Sequence, residues 1–177
     1  MSLAGLYQRV VTPAMHELGR LWEAGAITVA DEHLATALTH RVLAALRPPR
    51  HFEQGFDAPA ARPCALMAAV QGERHALGLR MAADLLEGAG YRVAYLGADV
   101  PSEAILQAVQ AFTPDLVGLS ATMPESAQHL EDVAAALGEE HPRLPLLLGG
   151  QGSGSPRRDG GTVVESLELL EERVPLP

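Results

Sequence analysis

Apolar positions at helical spacing open the chain. Leu6, Val10, Met15, Leu18, Leu21 and Trp22 recur at that spacing between Leu3 and Ala24. Pro13 predicts a break or a fresh N-terminus within the span, and Gly25 predicts a stop. Thr28 then caps a second helix, with Asp31 and Glu32 in its first turn. That helix carries Val29, His33, Leu34, Ala37, Leu38, Val42, Leu43 and Leu46, and ends before Pro48 and Pro49. The two predict an antiparallel helical hairpin over 1–48. Residues 49–63 hold Gly55, Pro59 and Pro63 with no sustained period, and read as a linker.

From Cys64 onward, short apolar runs alternate with helical patterns. Cys64–Val70, Tyr91–Leu96, Asp115–Ser120 and Leu144–Leu148 read as strands. Ala76–Glu87, Ser102–Phe112 and Glu125–Leu137 read as the helices between and after them. A short strand near Thr162–Val164 and a helix over Glu165–Arg173 close the chain. Strands that are apolar throughout, alternating with helices, imply a parallel sheet covered on both faces. The expectation is an α/β domain over 64–177, a flavodoxin-like doubly wound five-stranded parallel sheet. Ligands of such sheets sit at the carboxyl ends of the strands.

Composition adds exclusions. The chain has 13 basic residues against 22 acidic, a net charge of −9, and no lysine. This segment is therefore a poor nucleic-acid binder by itself, since phosphate contacts need clustered cations. Its one cysteine, Cys64, excludes an internal disulfide or a thiolate cluster, and its place in an apolar strand predicts a buried thiol. No apolar run reaches the roughly 18 residues of a membrane span. The start carries no secretory pattern, so no membrane partner and a cytoplasmic location are expected.

The candidate chemistry lies just past the predicted strands. Glu73, His75 and Gly78 follow the first; Gly97 and Asp99 follow the second. Ser120 ends the third, with Thr122 two residues on, and Gly149, Gly150 and Gln151 follow the fourth. A metal-ligating imidazole uses one nitrogen on the metal and donates the other N–H, often to a carboxylate. Glu73, two residues before His75 in an extended loop, is placed to accept it, with both side chains expected to point the same way. Glycines permit close approach, and short hydroxyls hydrogen-bond a polar ligand. The loop lacks the Gly-x-Gly-x-x-Gly of a dinucleotide site. The third strand ends in serine where a phospho-receiver needs an acid. One histidine is too few for zinc, which takes three or four protein ligands; it suits a metal already held in a macrocycle.

Glu73-x-His75-x-x-Gly78, Ser120-x-Thr122 and Gly149-Gly150 resemble the motif set of cobalamin-binding domains. Trp22, nine intervening residues, then Glu32-His33 resembles a signature of the CarH/LitR-type light-sensing repressors of the MerR family. The resemblance implies cobalamin as cofactor, with adenosylcobalamin favoured and methylcobalamin or hydroxocobalamin as alternatives. It implies His75 as the lower axial ligand of cobalt in a base-off, His-on form, with Glu73 behind it. Gly78, Gly97, Ser120, Thr122, Gly149, Gly150 and Gln151 would contact the cofactor or its displaced nucleotide tail. Trp22, Glu32 and His33 would enclose the upper adenosyl group, the hairpin being part of a helical-bundle cap. Glu23 stands where some relatives carry a histidine that binds cobalt after photolysis, so a bis-histidine photoproduct is not expected. Family bundles have four helices and this chain supplies two; the expectation is a homo-oligomer that covers Leu3, Leu6 and Val10. DNA would be bound only through a domain this chain lacks. The alternative implied function is a corrinoid carrier passing methyl groups between methyltransferases.

Overall fold

The computed structural model describes residues 1–46, 62–151, 161–163, 166, 167 and 170. The chain divides into two compact units, Met1–Gly55 and Phe56–Pro177. The division falls inside the expected linker, most of which lies outside the described residues.

The first unit holds α1 (Leu3–Leu6), a π-helical turn (Tyr7–Val11), α2 (Thr12–Glu23) and α3 (Val29–Leu46). Pro13 falls in the first turn of α2, so of the two expected readings the fresh N-terminus holds. Pro13 lacks an N–H, and its ring crowds the preceding turn. The chain accommodates it with a widened turn, in which the Thr12 N–H reaches back to the Tyr7 carbonyl. At the other end, Gly25 (φ +68°) ends α2. Gly25 N–H bonds the Trp22 carbonyl and Ala26 N–H the Leu21 carbonyl, the Schellman pattern. Thr28 and Asp31 then cap α3 reciprocally: Asp31 N–H donates to the Thr28 hydroxyl, and Thr28 N–H donates to Asp31 Oδ2. The Thr39 hydroxyl contacts Met15 Sδ. Those residues are placed symmetrically about the turn, so α2 and α3 run antiparallel as expected.

The second unit runs β1 (Cys64–Val70), α4 (Leu77–Gly88), β2 (Arg92–Val100), α5 (Ser102–Phe112), β3 (Leu116–Ser120), a 3-10 turn (Pro124–Ser126), α6 (Ala127–Glu140), β4 (Leu146–Gly149) and β5 (Gly161–Val163). All described pairings are parallel, in the order β2-β1-β3-β4-β5. That is the expected doubly wound arrangement: four full strands and a three-residue edge strand, β5. Every residue of β1 and β3 is buried, which is why they read as unbroken apolar runs. The core gathers Leu66, Val70, Ile105, Val117, Leu119, Leu130 and Leu137. Cys64 is buried as expected. Of the expected helix over 165–173, Leu167 and Leu170 are helical and most of the rest lies outside the described residues.

One boundary differs in a way that matters. The second strand was expected to stop at Leu96, leaving Gly97 and Asp99 in a loop. Instead β2 continues to Val100. Met67 pairs with Tyr95 and Val70 with Val100, so β1 advances three residues while β2 advances five. The two extra residues make a bulged stretch that turns on positive φ at Gly97 (+89°) and Asp99 (+53°). Gly97 thus lies within the strand, paired with Ala68, rather than in a ligand-facing loop.

Candidate functional site

Order β2-β1-β3 puts the switch point of the sheet between β1 and β3, where a doubly wound fold opens a crevice at the strands' carboxyl ends. The segment leaving β1 turns sharply: Glu73 N–H bonds the Val70 carbonyl, and Gly72 takes φ +82° at the third position of the turn. The turn buries Glu73 and leaves the His75 ring largely exposed, while the two side chains meet, with His75 Nδ1 2.8 Å from Glu73 Oε1. Glu73 is wholly buried. The His75 side chain is 62% exposed.

Glu73 is the hub. Its Oε1 accepts the His75 N–H at 2.7 Å and His75 Nδ1–H at 2.8 Å. Its Oε2 accepts the N–H groups of Thr122 at 2.5 Å and Met123 at 2.9 Å. The Ser126 hydroxyl lies 3.0 Å from Oε2 and 2.9 Å from the Met123 carbonyl; with one proton to give, it favours the charged acceptor. Burial raises the Glu73 pKa, but the N–H donors of Met123, His75 and Thr122 and the imidazole outweigh it, leaving the carboxyl below the ordinary glutamate range. An anion held this way bridges the loops after β1 and β3 across the switch point. In the neutral ring, with Nδ1 giving its proton to Glu73, Nε2 of His75 carries the lone pair. It sits on an exposed ring, free to ligate.

The remaining expected residues divide by what they touch. A Cβ at Gly78 or Gly149 would meet no heavy atom within 4 Å, so both front open space. Gly150 is different. It has φ +95°, and a Cβ there would overlap the Ala121 carbonyl, so its glycine serves close approach of β4 to β3. Ser120 is buried at the end of β3 beside Gly149, its partner in β4. Thr122 contributes its backbone N–H to Glu73, where a hydroxyl role was expected. Gln151 is exposed. In the helical unit, Trp22 near the end of α2 is about half exposed. His33 Nδ1 meets Glu32 Oε2 at 2.6 Å, and the Thr36 hydroxyl holds Glu32 Oε1 at 2.8 Å. Leu3 and Leu6 are half-buried and Val10 is exposed. The larger exposed apolar surface lies on α3, at Leu34, Leu38, Val42 and Leu46.

Sequence reasoning missed Ser126 and Met123. A serine opening a helix reads as a cap, and a backbone N–H has no sequence signature. Asp99 was noted without a role. Its Oδ1 accepts the Gly72 N–H at 2.7 Å, and its own N–H donates to the Glu73 carbonyl at 2.8 Å.

Among the described residues, no group of three or more His, Cys, Asp or Glu side chains gathers to hold a metal ion, and no helix is long and apolar enough to cross a membrane. Fold and site define a doubly wound α/β domain that presents one carboxylate-backed imidazole beside open, glycine-fronted space. The chain belongs to the B12 binding domain family, which matches residues 63–168; a second B12 binding domain matches residues 1–47. It is 36% identical over 146 residues to the HTH-type transcriptional repressor CarH of Myxococcus xanthus, covering 81% of this chain and 46% of that protein. It is 34% identical over 145 residues to the repressor CarA of the same organism, covering 80% of this chain and 45% of that protein. The chain thus spans less than half the length of either. Dimethylamine corrinoid protein 3 of Methanosarcina acetivorans is 25% identical over 150 residues, covering 82% of this chain and 67% of that protein. The monomethylamine corrinoid protein of Methanosarcina barkeri shares the fold, with a TM-score of 0.77 at 18% identity, covering 97% of this chain and 82% of that one. The expected CarH-type cobalamin-binding domain is borne out.

Proposed function

We propose that this chain is the sensing part of a cobalamin-dependent transcriptional regulator, binding adenosylcobalamin base-off with His75 as the lower ligand of cobalt. One observation carries the reading: His75 Nδ1 is tied to a buried carboxylate while the side chain is largely exposed. Open space at Gly78 and Gly149 gives a bulky ligand room on the same strand ends. Glu73 fixes the tautomer and ring direction and strengthens the imidazole as a donor. Ser120, Thr122, Gly149, Gly150 and Gln151 would surround the nucleotide tail, with Gly150 shaping the backbone rather than touching the ligand. When bound, cobalamin supplies a light-sensitive cobalt–carbon bond and a bulky upper group whose loss shifts a conformational balance. The roles of Trp22, Glu32 and His33 toward that group rest on the sequence signature. A MerR-type DNA-binding domain elsewhere in a longer protein, a cytoplasmic location and homo-oligomers formed through the exposed face of α3 belong to the same proposal. No reaction of its own is assigned to the chain.

The test is reconstitution with adenosylcobalamin in the dark. The wild-type chain is expected to give a base-off, His-on spectrum. His75→Ala is expected to lose that spectrum and bind about 10–100-fold more weakly. An unchanged spectrum and affinity in the variant would end the ligand assignment. Similarity to the dimethylamine corrinoid protein supports a second reading, a methyl carrier, and tighter binding of methylcobalamin than adenosylcobalamin would select it. Light scattering before and after illumination tests the switch, since no change in mass would remove it.

A further inference from the structure

The turn that carries His75 is fastened on two sides. Glu73 fastens the turn to the β3 side. On the β2 side the turn is held by Asp99. Its carboxylate accepts the Gly72 N–H at 2.7 Å, and its backbone N–H donates to the Glu73 carbonyl at 2.8 Å. Asp99 makes both bonds from a left-handed backbone, φ +53°, which a non-glycine residue adopts at a cost. The bulged stretch of β2 sets this up, since without its two extra residues Asp99 would continue the ladder beside β1. Strain of this kind persists where surrounding structure over-determines it, and it clusters at functional sites.

We propose that Asp99 is a positioning residue for the cobalt ligand. By clamping Gly72 and Glu73 from the β2 side, it fixes the turn so that the Glu73 carboxylate and the His75 ring meet at one angle. The proposal rests on the reading of His75 as lower ligand. Without the Asp99 carboxylate the turn is held from β3 alone, and the imidazole is presented over a wider range of directions.

The test uses the full chain loaded with cobalamin. Asp99→Gly removes the carboxylate, accepts the left-handed backbone without strain and keeps the N–H to Glu73, so the fold is retained. Asp99→Asn keeps an acceptor oxygen and tolerates the same backbone. Cobalamin affinity is measured by titration. Histidine ligation is read from nitrogen coupling in the electron paramagnetic resonance spectrum of the cob(II)alamin form, with 15N-labelled histidine identifying the ligand. Asp99→Gly is expected to bind about tenfold more weakly and to show a reduced nitrogen-coupled fraction; Asp99→Asn is expected to restore both. Wild-type affinity and full coupling in Asp99→Gly would overturn the proposal alone, as would an Asn variant that behaves like Gly. A wild-type protein without histidine nitrogen coupling would overturn the ligand reading and this proposal with it.

Discussion

A charged side chain with no exposed surface persists only where donors replace the water it has lost. Glu73 meets that requirement with the N–H groups of His75, Thr122 and Met123, the imidazole and the Ser126 hydroxyl. Glu73→Gln removes the charge and turns an amide N–H2 either toward His75 or toward the other three donors. The expected cost is about 2 kcal/mol, read from urea unfolding of the cofactor-free chain. The sign of the pH effect follows from the lowered pKa. The Glu73 contribution is present above the ordinary glutamate value, about 4.3, and is lost as pH falls through the lower folded value. Acid unfolding of the wild type should therefore be steeper in that window than that of Glu73→Gln. At this scale the sequence was legible where partners lie within one short motif, as Glu73 and His75 do. It was not legible for Ser126, which meets Glu73 from 53 residues away, through a strand pairing that no local pattern records.

Elements were legible wherever one face had to be buried. The hairpin, α5 and the apolar strands β1 and β3 lie close to where periodicity places them, because burial dictates the pattern. The misses lie where pairing overrides local signals. Gly97-Ala98-Asp99 reads as a turn, yet the edge of β1 draws it into β2 as a bulge. The diglycine at the end of β4 also divides, Gly149 closing the strand and Gly150 following it. Gly150→Ala is expected to cost about 2 kcal/mol from its left-handed backbone, and more if the overlap with Ala121 does not relax, seen as a lowered Tm. Gly149→Ala meets open space and should leave stability within about 0.5 kcal/mol. If that space holds the cofactor, the same substitution weakens cobalamin binding. Equal stability losses at the two glycines would contradict this division.

For the whole molecule, a ligand that binds only the folded chain adds stability by mass action. Cobalamin at a hundred times its dissociation constant should contribute about 2.7 kcal/mol, measurable as a rise in Tm that His75→Ala diminishes. The net charge of −9 and the absence of lysine predict no mobility shift of duplex DNA by this chain alone at physiological salt. The sequence by itself determined the class of fold, the two-part organisation of hairpin and α/β domain, and the pairing of Glu73 with His75. Hydrophobic periodicity and short motifs are local, and local order survives in a one-dimensional string. Only the tertiary structure decided that Glu73 is wholly buried while the His75 ring stays largely exposed, that Ser126 and Met123 complete the carboxylate's shell, and that Asp99 grips the turn from β2. Those contacts join residues far apart in sequence, and they exist because parallel pairing brings the ends of β2, β1 and β3 to one edge.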